Sequence, residues 1–246
     1  MKTGPKTPDQ NQGNSTMTPP TALIGWAAKA GREPGENEDR AAAGTQRFAV
    51  ADGATRSARP EIWAEILVHA FVEHRDPFDP IVLADLRSQW LHEVDQPGLP
   101  WHAIAKLQLG GAATFVGLEL DERGLHYSCH AIGDACLLHL RDGNLLTVGP
   151  LDQPDQFGSD PDLLTTLAFD TRHQHAMWSA DGDYRPGDQF VLASDALAKY
   201  LLRRHHTSAA VDMDAVLHGD FDQWVVAARA EDGLDNDDTT ICLVTA

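Results

Sequence analysis

The 246-residue sequence is poor in cysteine, in cationic residues and in long apolar runs, and each shortage removes a class of function. Its three cysteines, Cys129, Cys136 and Cys242, are too few and too oddly counted to staple a secreted fold, and all three sit inside apolar stretches. A reducing cytoplasmic location is therefore expected. Lys and Arg number 19 against 37 Asp and Glu, a formal charge of −18. A chain this acidic is repelled by a phosphate backbone and by an anionic leaflet, because either partner requires clustered cations to displace counterions. Neither nucleic acid nor a membrane surface is an expected partner. No stretch reaches the roughly 20 continuous apolar residues of a membrane span, and the N-terminus lacks the apolar segment of a secretory signal.

A hydrophobic share of 42% is close to that of folded proteins, so the negative charge does not mark a disordered acidic chain. Residues 1–20, rich in Thr, Pro, Gly, Asn and Gln, have almost nothing to bury and read as a disordered tail ahead of one domain spanning 21–246. Ala22 to Ala28 and Gln46 to Ala51 read as strands, the second ending at an Asp-Gly turn. Pro60 opens a helix whose Ile62, Trp63, Ile66, Leu67, Ala70 and Phe71 share one face. Asp79 and Pro80 form an N-cap and first-turn pair for a second helix to about Val94, and Pro100 opens a third to about Leu109. Four strands then follow, Ala112 to Leu120, Gly124 to Ile132, Ala135 to Leu140 and Asn144 to Val148, the last pair joined at Asp142-Gly143. An irregular excursion, Gly149 to Asp170, precedes a strand at Gln189 to Ser194. A helical region, Ala196 to Ala230, breaks near His206 and Gly219, and a last strand runs from Thr239 to Val244. This order describes an α+β layered sandwich better than alternating βαβ units.

The acids are placed with more pattern than their number suggests. Asp52 follows the apolar run FAVA, Asp195 follows QFVLAS, Asp237 and Asp238 precede TTICLV, and Glu38 and Asp39 precede the strand that feeds Asp52. One aspartate at a strand end is ordinarily a turn or cap residue. Several carboxylates at the mouths of buried strands are costly to desolvate unless a cation compensates them. An all-oxygen donor set suits Mg²⁺ or Mn²⁺ better than zinc.

In order along the chain, NEDR (Asn37 to Arg40), FAVADGA (Phe48 to Ala54), GAATFVGL (Gly111 to Leu118), AIGDA (Ala131 to Ala135), GDQFVLASDAL (Gly187 to Leu197) and DDTTICLV (Asp237 to Val244) resemble the motifs of the protein phosphatase 2C (PPM) family of metal-dependent Ser/Thr protein phosphatases, in a divergent bacterial form. The resemblance implies a four-layer α-β-β-α sandwich with two central, mostly antiparallel sheets and a cleft for two Mg²⁺ or Mn²⁺ ions. It implies Asp52 bridging both ions, Asp195 and Asp237 completing one shell, Glu38 and the Gly53 carbonyl serving the other, Asp134 helping to hold a weaker third ion, and Asp39 acting behind the ligands. Asp52, Asp195 and Asp237 become the implied catalytic residues, and a metal-bridging hydroxide the nucleophile on phosphoserine or phosphothreonine. The implied partners are a phosphoprotein substrate and a Ser/Thr kinase or its targets.

The sequence departs from that pattern at identifiable places. The family's phosphate-holding Arg falls at Pro34, leaving Arg32, Arg56 or Arg59 to replace it, with Arg56 favoured by its place just after the Asp-Gly turn. Ala54 stands where some members carry His, and Ser-Asp-Ala replaces Ser-Asp-Gly. Asp235 competes with Asp237 for the last ligand position, and counting back from the strand favours Asp237. His126, Cys129, His130, Cys136 and His139 form a rival zinc candidate, disfavoured because no C-x-x-C precedes the H-x3-H spacing, which lies in a strand. The tryptophans read as packing residues. The alternative to an active enzyme is a pseudophosphatase that keeps the fold as a regulatory binding module.

Overall fold

A computed structural model describes residues 19–95, 97–98 and 101–246. Residues 1–18 of the expected tail, and Pro100 at the expected start of the third helix, lie outside the described residues. Among the described residues, eleven strands form two sheets. One has the order β1 (Thr21–Ala27), β11 (Thr239–Thr245), β10 (Gln189–Ala193), β6 (Cys136–Arg141) and β7 (Asn144–Gly149). The other has the order β2 (Arg40–Ala43), β3 (Arg47–Gly53), β4 (Ala112–Asp121), β5 (His126–Ile132) and β9 (Trp178–Asp183), with the short β8 (Leu164–Thr165) paired to β4. All the pairings within them are antiparallel.

Strand alternation explains why both faces of each sheet are apolar. In β3, Phe48 and Val50 face the space between the sheets, while Ala49 and Ala51 face outward to the helices. In β11, Cys242 and Val244 face inward and Ile241 and Leu243 outward. The outer face of the β3 sheet is covered by α1 (Pro60–Val72) and α2 (Pro80–Val94), through Trp63, Leu67, Phe71, Leu83, Leu86 and Trp90. The other outer face is covered by α5 (Asp195–His206), α6 (Met213–His218) and α7 (Phe221–Ala227), through Leu197, Leu201, Met213 and Val225. Helix, sheet, sheet and helix make four layers around three apolar interfaces.

The helix signals act as their chemistry requires. The Asp79 carboxylate accepts from the N–H groups of Ile81 and Val82, capping α2. Gly143 and Asp142, at φ +74° and +51°, close the β6–β7 hairpin in the left-handed conformation. The helical region after Ser194 is divided, with α5 ending at His206 and a break at Gly219 before α7. A third helix, α3 (Trp101–Leu107), forms where one was expected, whereas a short helix, α4 (His173–Ala176), and two strands differ from the sequence expectation. Trp178–Asp183 is a strand that pairs with β5, and Leu164–Thr165 pairs with β4 inside the excursion expected to be irregular. Strand β9 reads WSADGD and β8 is two residues long, so neither carries the β-branched alternation that marks a strand. The tryptophans also divide: Trp63 and Trp90 are buried as expected, whereas Trp26 is half exposed and Trp101 lies on the surface.

Candidate active site

The inner-face row of β3, Phe48 then Val50, continues into Asp52, which places that carboxylate at the end of the inter-sheet core. Asp195 is the first residue of α5, separated from β10 by Ser194 alone, and its Oδ1 accepts the Ala196 N–H at 2.5 Å. Asp134 follows Gly133 in the turn from β5 to β6 and is buried. Gly133 sits at φ +84°, and a Cβ there would lie 2.6 Å from the Asp162 carbonyl oxygen, so only glycine lets the excursion after β7 approach this turn. Asp39 enters from the segment before β2 and is 4% exposed.

These four carboxylates act on one another. Burial pushes Asp39 up to about 8, assisted by the charges of Asp238 and Asp195 and opposed by the Ser194 hydroxyl beside it. Asp52 is raised well above the ordinary carboxylate range by burial and then by Asp39, Asp195 and Asp134. Asp134 is pushed up to about 7 by burial and by Asp195. Asp195 is raised by burial and by Asp237 and Asp235, against the Ala196 N–H.

Around this group, a second set of contacts fixes the backbone. Asp238 accepts the Lys29 N–H through one oxygen and the Glu38 N–H through the other, each at 2.7 Å. Arg229 donates to the carbonyls of Ala28 and Asp237 and to the Thr239 hydroxyl, while Asn236 accepts the Ala30 N–H. The loop that carries Asp237 is thereby stitched to the end of β1. Asp237 itself is half exposed, with Lys29 Nζ 3.3 Å away, and Asp235 pairs with Lys199 at 2.8 Å. Arg40 donates to the carbonyls of Asn37 and Asp39 and to Glu65, locking the Asn37-Glu38-Asp39 segment. Sequence reasoning missed Lys29, Arg40 and Arg229, because a cation's carbonyl partners depend on tertiary placement; Asp238, adjacent to a candidate ligand, was the visible signal.

Glu38 is half-buried, accepts the Thr55 hydroxyl at 2.5 Å and has Arg32 Nη1 at 3.9 Å. Its carboxyl is raised, by burial first, with Thr55 and Arg32 working the other way. Of the three candidate arginines, Arg32 faces Glu38, Arg59 pairs with Glu61, and Arg56 is exposed with no ion pair among the described residues. Gly53 packs so closely that an added Cβ would lie 2.6 Å from the Glu38 carbonyl oxygen and 2.9 Å from Pro60 Cβ.

The donor chemistry can be tested on these contacts. Asp39 Oδ2 is buried with no hydrogen-bond partner, the surrounding donors are all oxygen, and four neighbouring carboxylates make one another hard to ionise. A hard divalent cation is the group that compensates such a set, so the residues fit Mg²⁺ or Mn²⁺ by charge and donor type. No three His, Cys, Asp or Glu side chains among the described residues form a ready-made cage; the acids interact through their charges. The zinc candidate is dispersed. His126 faces Asp181 and Asp183, His130 lies against Phe78, and His139 pairs with Asp188. Cys129 and Cys136 lie in different apolar clusters, and burial pushes the Cys136 thiol up to about 12.

Solved structures carry the same architecture. The catalytic domain of the serine/threonine protein phosphatase PstP in complex with two manganese ions is 18% identical, with a TM-score of 0.59 over 92% of this chain and 98% of that one. The serine/threonine phosphatase Stp1 from Staphylococcus aureus is 14% identical, with a TM-score of 0.62 over 92% and 94%. PppA, a regulatory component of the type VI secretion system (T6SS) in Pseudomonas aeruginosa, is 18% identical, with a TM-score of 0.58 over 93% and 98%. The chain has the protein phosphatase 2C fold. No protein-family model and no curated protein matches its sequence. In this phosphatase fold the carboxylates of Asp52, Asp134 and Asp195 come from strand ends and turns of both sheets. Among the described residues no helix is long and apolar enough to cross a membrane.

Proposed function

We propose that the protein hydrolyses phosphoserine and phosphothreonine monoesters on proteins, dependent on Mg²⁺ or Mn²⁺ held by Glu38, Asp52, the Gly53 carbonyl, Asp195 and Asp237, with Asp134 beside a weaker third site. The observation that carries this reading is the convergence of Asp39 and Asp134, both buried, with the part-buried Asp52 and Asp195, whose desolvation and mutual repulsion call for divalent charge. Two such ions, when bound, supply a water of lowered proton affinity and charge compensation for the phosphoryl oxygens.

The chain's own residues do the rest. Asp52 stands at the end of the inter-sheet core, where its flanking backbone is held by pairing of Asp52 with Thr114. Asp195 stands at the N-terminus of α5, whose dipole favours its negative charge. Asp39 orients the site from behind, and Asp238 fixes Glu38 through its backbone. Arg32, beside Glu38, takes the place of the arginine absent at position 34 and orients the substrate phosphate. The thiols are not used, since burial holds all three in the protonated form. The substrate is a phosphoprotein of a Ser/Thr kinase system.

Hydrolysis of p-nitrophenyl phosphate and of a phosphothreonine peptide, measured with Mn²⁺, with Mg²⁺, with excess chelator and in Asp195→Ala, tests this reading. Turnover should require the metal and be nearly abolished in the variant. Full activity in chelator would overturn it. Tight metal binding without turnover would instead establish the regulatory pseudophosphatase.

A further inference from the structure

The antiparallel ladder of β1 and β11 ends at the pair Ala27–Thr239. Carried two residues further, that register sets Lys29 opposite Asp237, as cross-strand neighbours on one face. Hydrogen bonds preserve the placement after the ladder stops. Arg229 donates to the carbonyls of Ala28 and Asp237, the Lys29 N–H donates to Asp238 Oδ1 at 2.7 Å, and the Ala30 N–H donates to Asn236 Oδ1 at 2.8 Å. Three consecutive residues are thus tied through their backbone to the loop that carries Asp237. The fold delivers Lys29 to that carboxylate, and its Nζ donates to Asp237 Oδ1 at 3.3 Å.

The other acids of the site are placed differently. Asp39, Asp52, Asp134 and Asp195 form no ion pair with a cation among the described residues, and Glu38 has Arg32 only at 3.9 Å. The neighbouring Asp235 is taken by Lys199 at 2.8 Å. Asp237 nonetheless belongs to the carboxylate group, because its charge helps to raise Asp195. The Lys29 and Asp237 side chains are 39% and 51% exposed. Ion pairs this open to water are weak, and a lysine carries its charge on a flexible four-carbon stem, so the ammonium can leave the carboxylate while its backbone stays fixed. Lys29 tunes this carboxylate and does not close it.

Resting on the metal-dependent reading above, we infer that Lys29 is an internal counter-ion of Asp237 that a divalent ion must displace, and so a positioning residue that sets how tightly the ion is held by Asp195 and Asp237. Two effects act in one direction. The ammonium stabilises the free carboxylate, and once displaced it remains tethered near the cleft, where it opposes a second cation. Filling the position at Asp237 therefore takes a higher free ion concentration than the carboxylates alone would require.

The test is calorimetric titration of the full chain with Mn²⁺, at low ionic strength because salt screens half-exposed charges. Lys29→Met keeps the N–H that Asp238 accepts and most of the stem, and removes the charge; Lys29→Gln is a second neutral variant. Mn²⁺ binding should be about three- to fivefold tighter in both, and within about twofold of wild type in Lys29→Arg, which keeps the charge. A side chain that only supported the loop would give the opposite sign, since its loss would loosen Asp237 and weaken binding. Unchanged or weaker binding in both neutral variants, or equal tightening in Lys29→Arg, would overturn the inference. Asp237→Asn separates this failure from that of the site itself. Weaker binding in Asp237→Asn without tightening in the neutral variants removes the role of Lys29 alone. Wild-type binding in Asp237→Asn removes Asp237 as a ligand and this inference with it, leaving the hydrolysis assays to judge the phosphatase.

Discussion

The Asp238 carboxylate accepts the backbone N–H of Glu38 at 2.7 Å across 200 residues of sequence. Its other oxygen holds Lys29, so one side chain ties the last strand to both the end of β1 and the Asn37-Glu38-Asp39 segment. Asp238→Ala removes two charge-assisted hydrogen bonds and strands two N–H groups, a loss of about 2–4 kcal/mol. Denaturant unfolding should show this, and calorimetry should show weaker Mn²⁺ binding although Asp238 is not among the proposed ligands. Asp238→Asn, which keeps one acceptor oxygen, should fall between the two. Stability unchanged in Asp238→Ala would remove the clip from the account.

Arg32 and Arg56 make opposite predictions for substrate binding. A guanidinium contact to phosphate is worth about 1.5–3 kcal/mol, which corresponds to a ten- to hundredfold change in kcat/KM. Arg32→Ala should lose that much on a phosphothreonine peptide, mostly through KM, while Arg56→Ala stays near wild type. The reverse ranking would return the role to the turn after Asp52 and leave Arg32 as a partner of Glu38 alone.

At the other end of the sandwich, Asp188 is bound by Arg141 and by His139. Burial opposes its ionisation, yet the bonds from Arg141, His139 and the Arg185 N–H outweigh that and bring it down to about 2. A depressed carboxylate contributes stability that is present above its unfolded pKa, near 3.8, and is lost as pH falls toward about 2. His139 is lowered by burial, against the pull of Asp188, so the unfolded chain takes up that proton first and stability already declines below about pH 6.5. The raised acids of the site act the other way in the metal-free chain, since a raised carboxylate takes up its proton in the folded state first. The Asp188 contribution is therefore read from the difference in urea midpoint between wild type and Asp188→Asn, which should shrink as pH falls toward about 2, by on the order of 2 kcal/mol. Asp188→Asn should be destabilised near neutrality by about 3 kcal/mol and show a flatter acid limb. An acid limb as steep as that of wild type would place the titration elsewhere.

Much of the architecture could be read from residues whose local and global preferences agree. The strands at Phe48, Val116, Phe190 and Cys242 are apolar on both faces, and the helix begun by Asp79 and Pro80 carries its own cap. Strands β8 and β9 could not be read this way, because Asp181, Gly182 and Asp183 are held in a strand by pairing with β5 and not by their own propensity. The candidate site divides similarly. Asp52, Asp195 and Asp134 announce themselves by ending apolar strands or turns. Arg32 does not, because its approach to Glu38 depends on the turn of chain through Pro34–Glu36, which no period reveals. The exposure of Trp26 is likewise invisible in sequence: the residue faces inward, and only the shortness of β2 leaves it uncovered.

Gly53 offers a prediction in which backbone, packing and proposed chemistry meet. An added methyl would lie 2.6 Å from the Glu38 carbonyl oxygen and 2.9 Å from Pro60 Cβ, contacts that real Cβ atoms do not make. Neither neighbour is free to withdraw: Glu38 is held through its N–H by Asp238, and Pro60 opens α1, whose Trp63 is fully buried. Gly53→Ala must therefore displace either the segment bearing Glu38 or the start of α1, at a cost of about 1–3 kcal/mol. Displacement of the Glu38 segment moves a proposed ligand and the Gly53 carbonyl together, so Mn²⁺ affinity should fall more than the loss of one ligand explains. Displacement of α1 instead would lower the melting temperature while leaving Mn²⁺ binding intact. Calorimetry and thermal unfolding on the same variant separate the two, and the Asp238 clip across from Glu38 favours a combined loss of stability and metal affinity over stability alone.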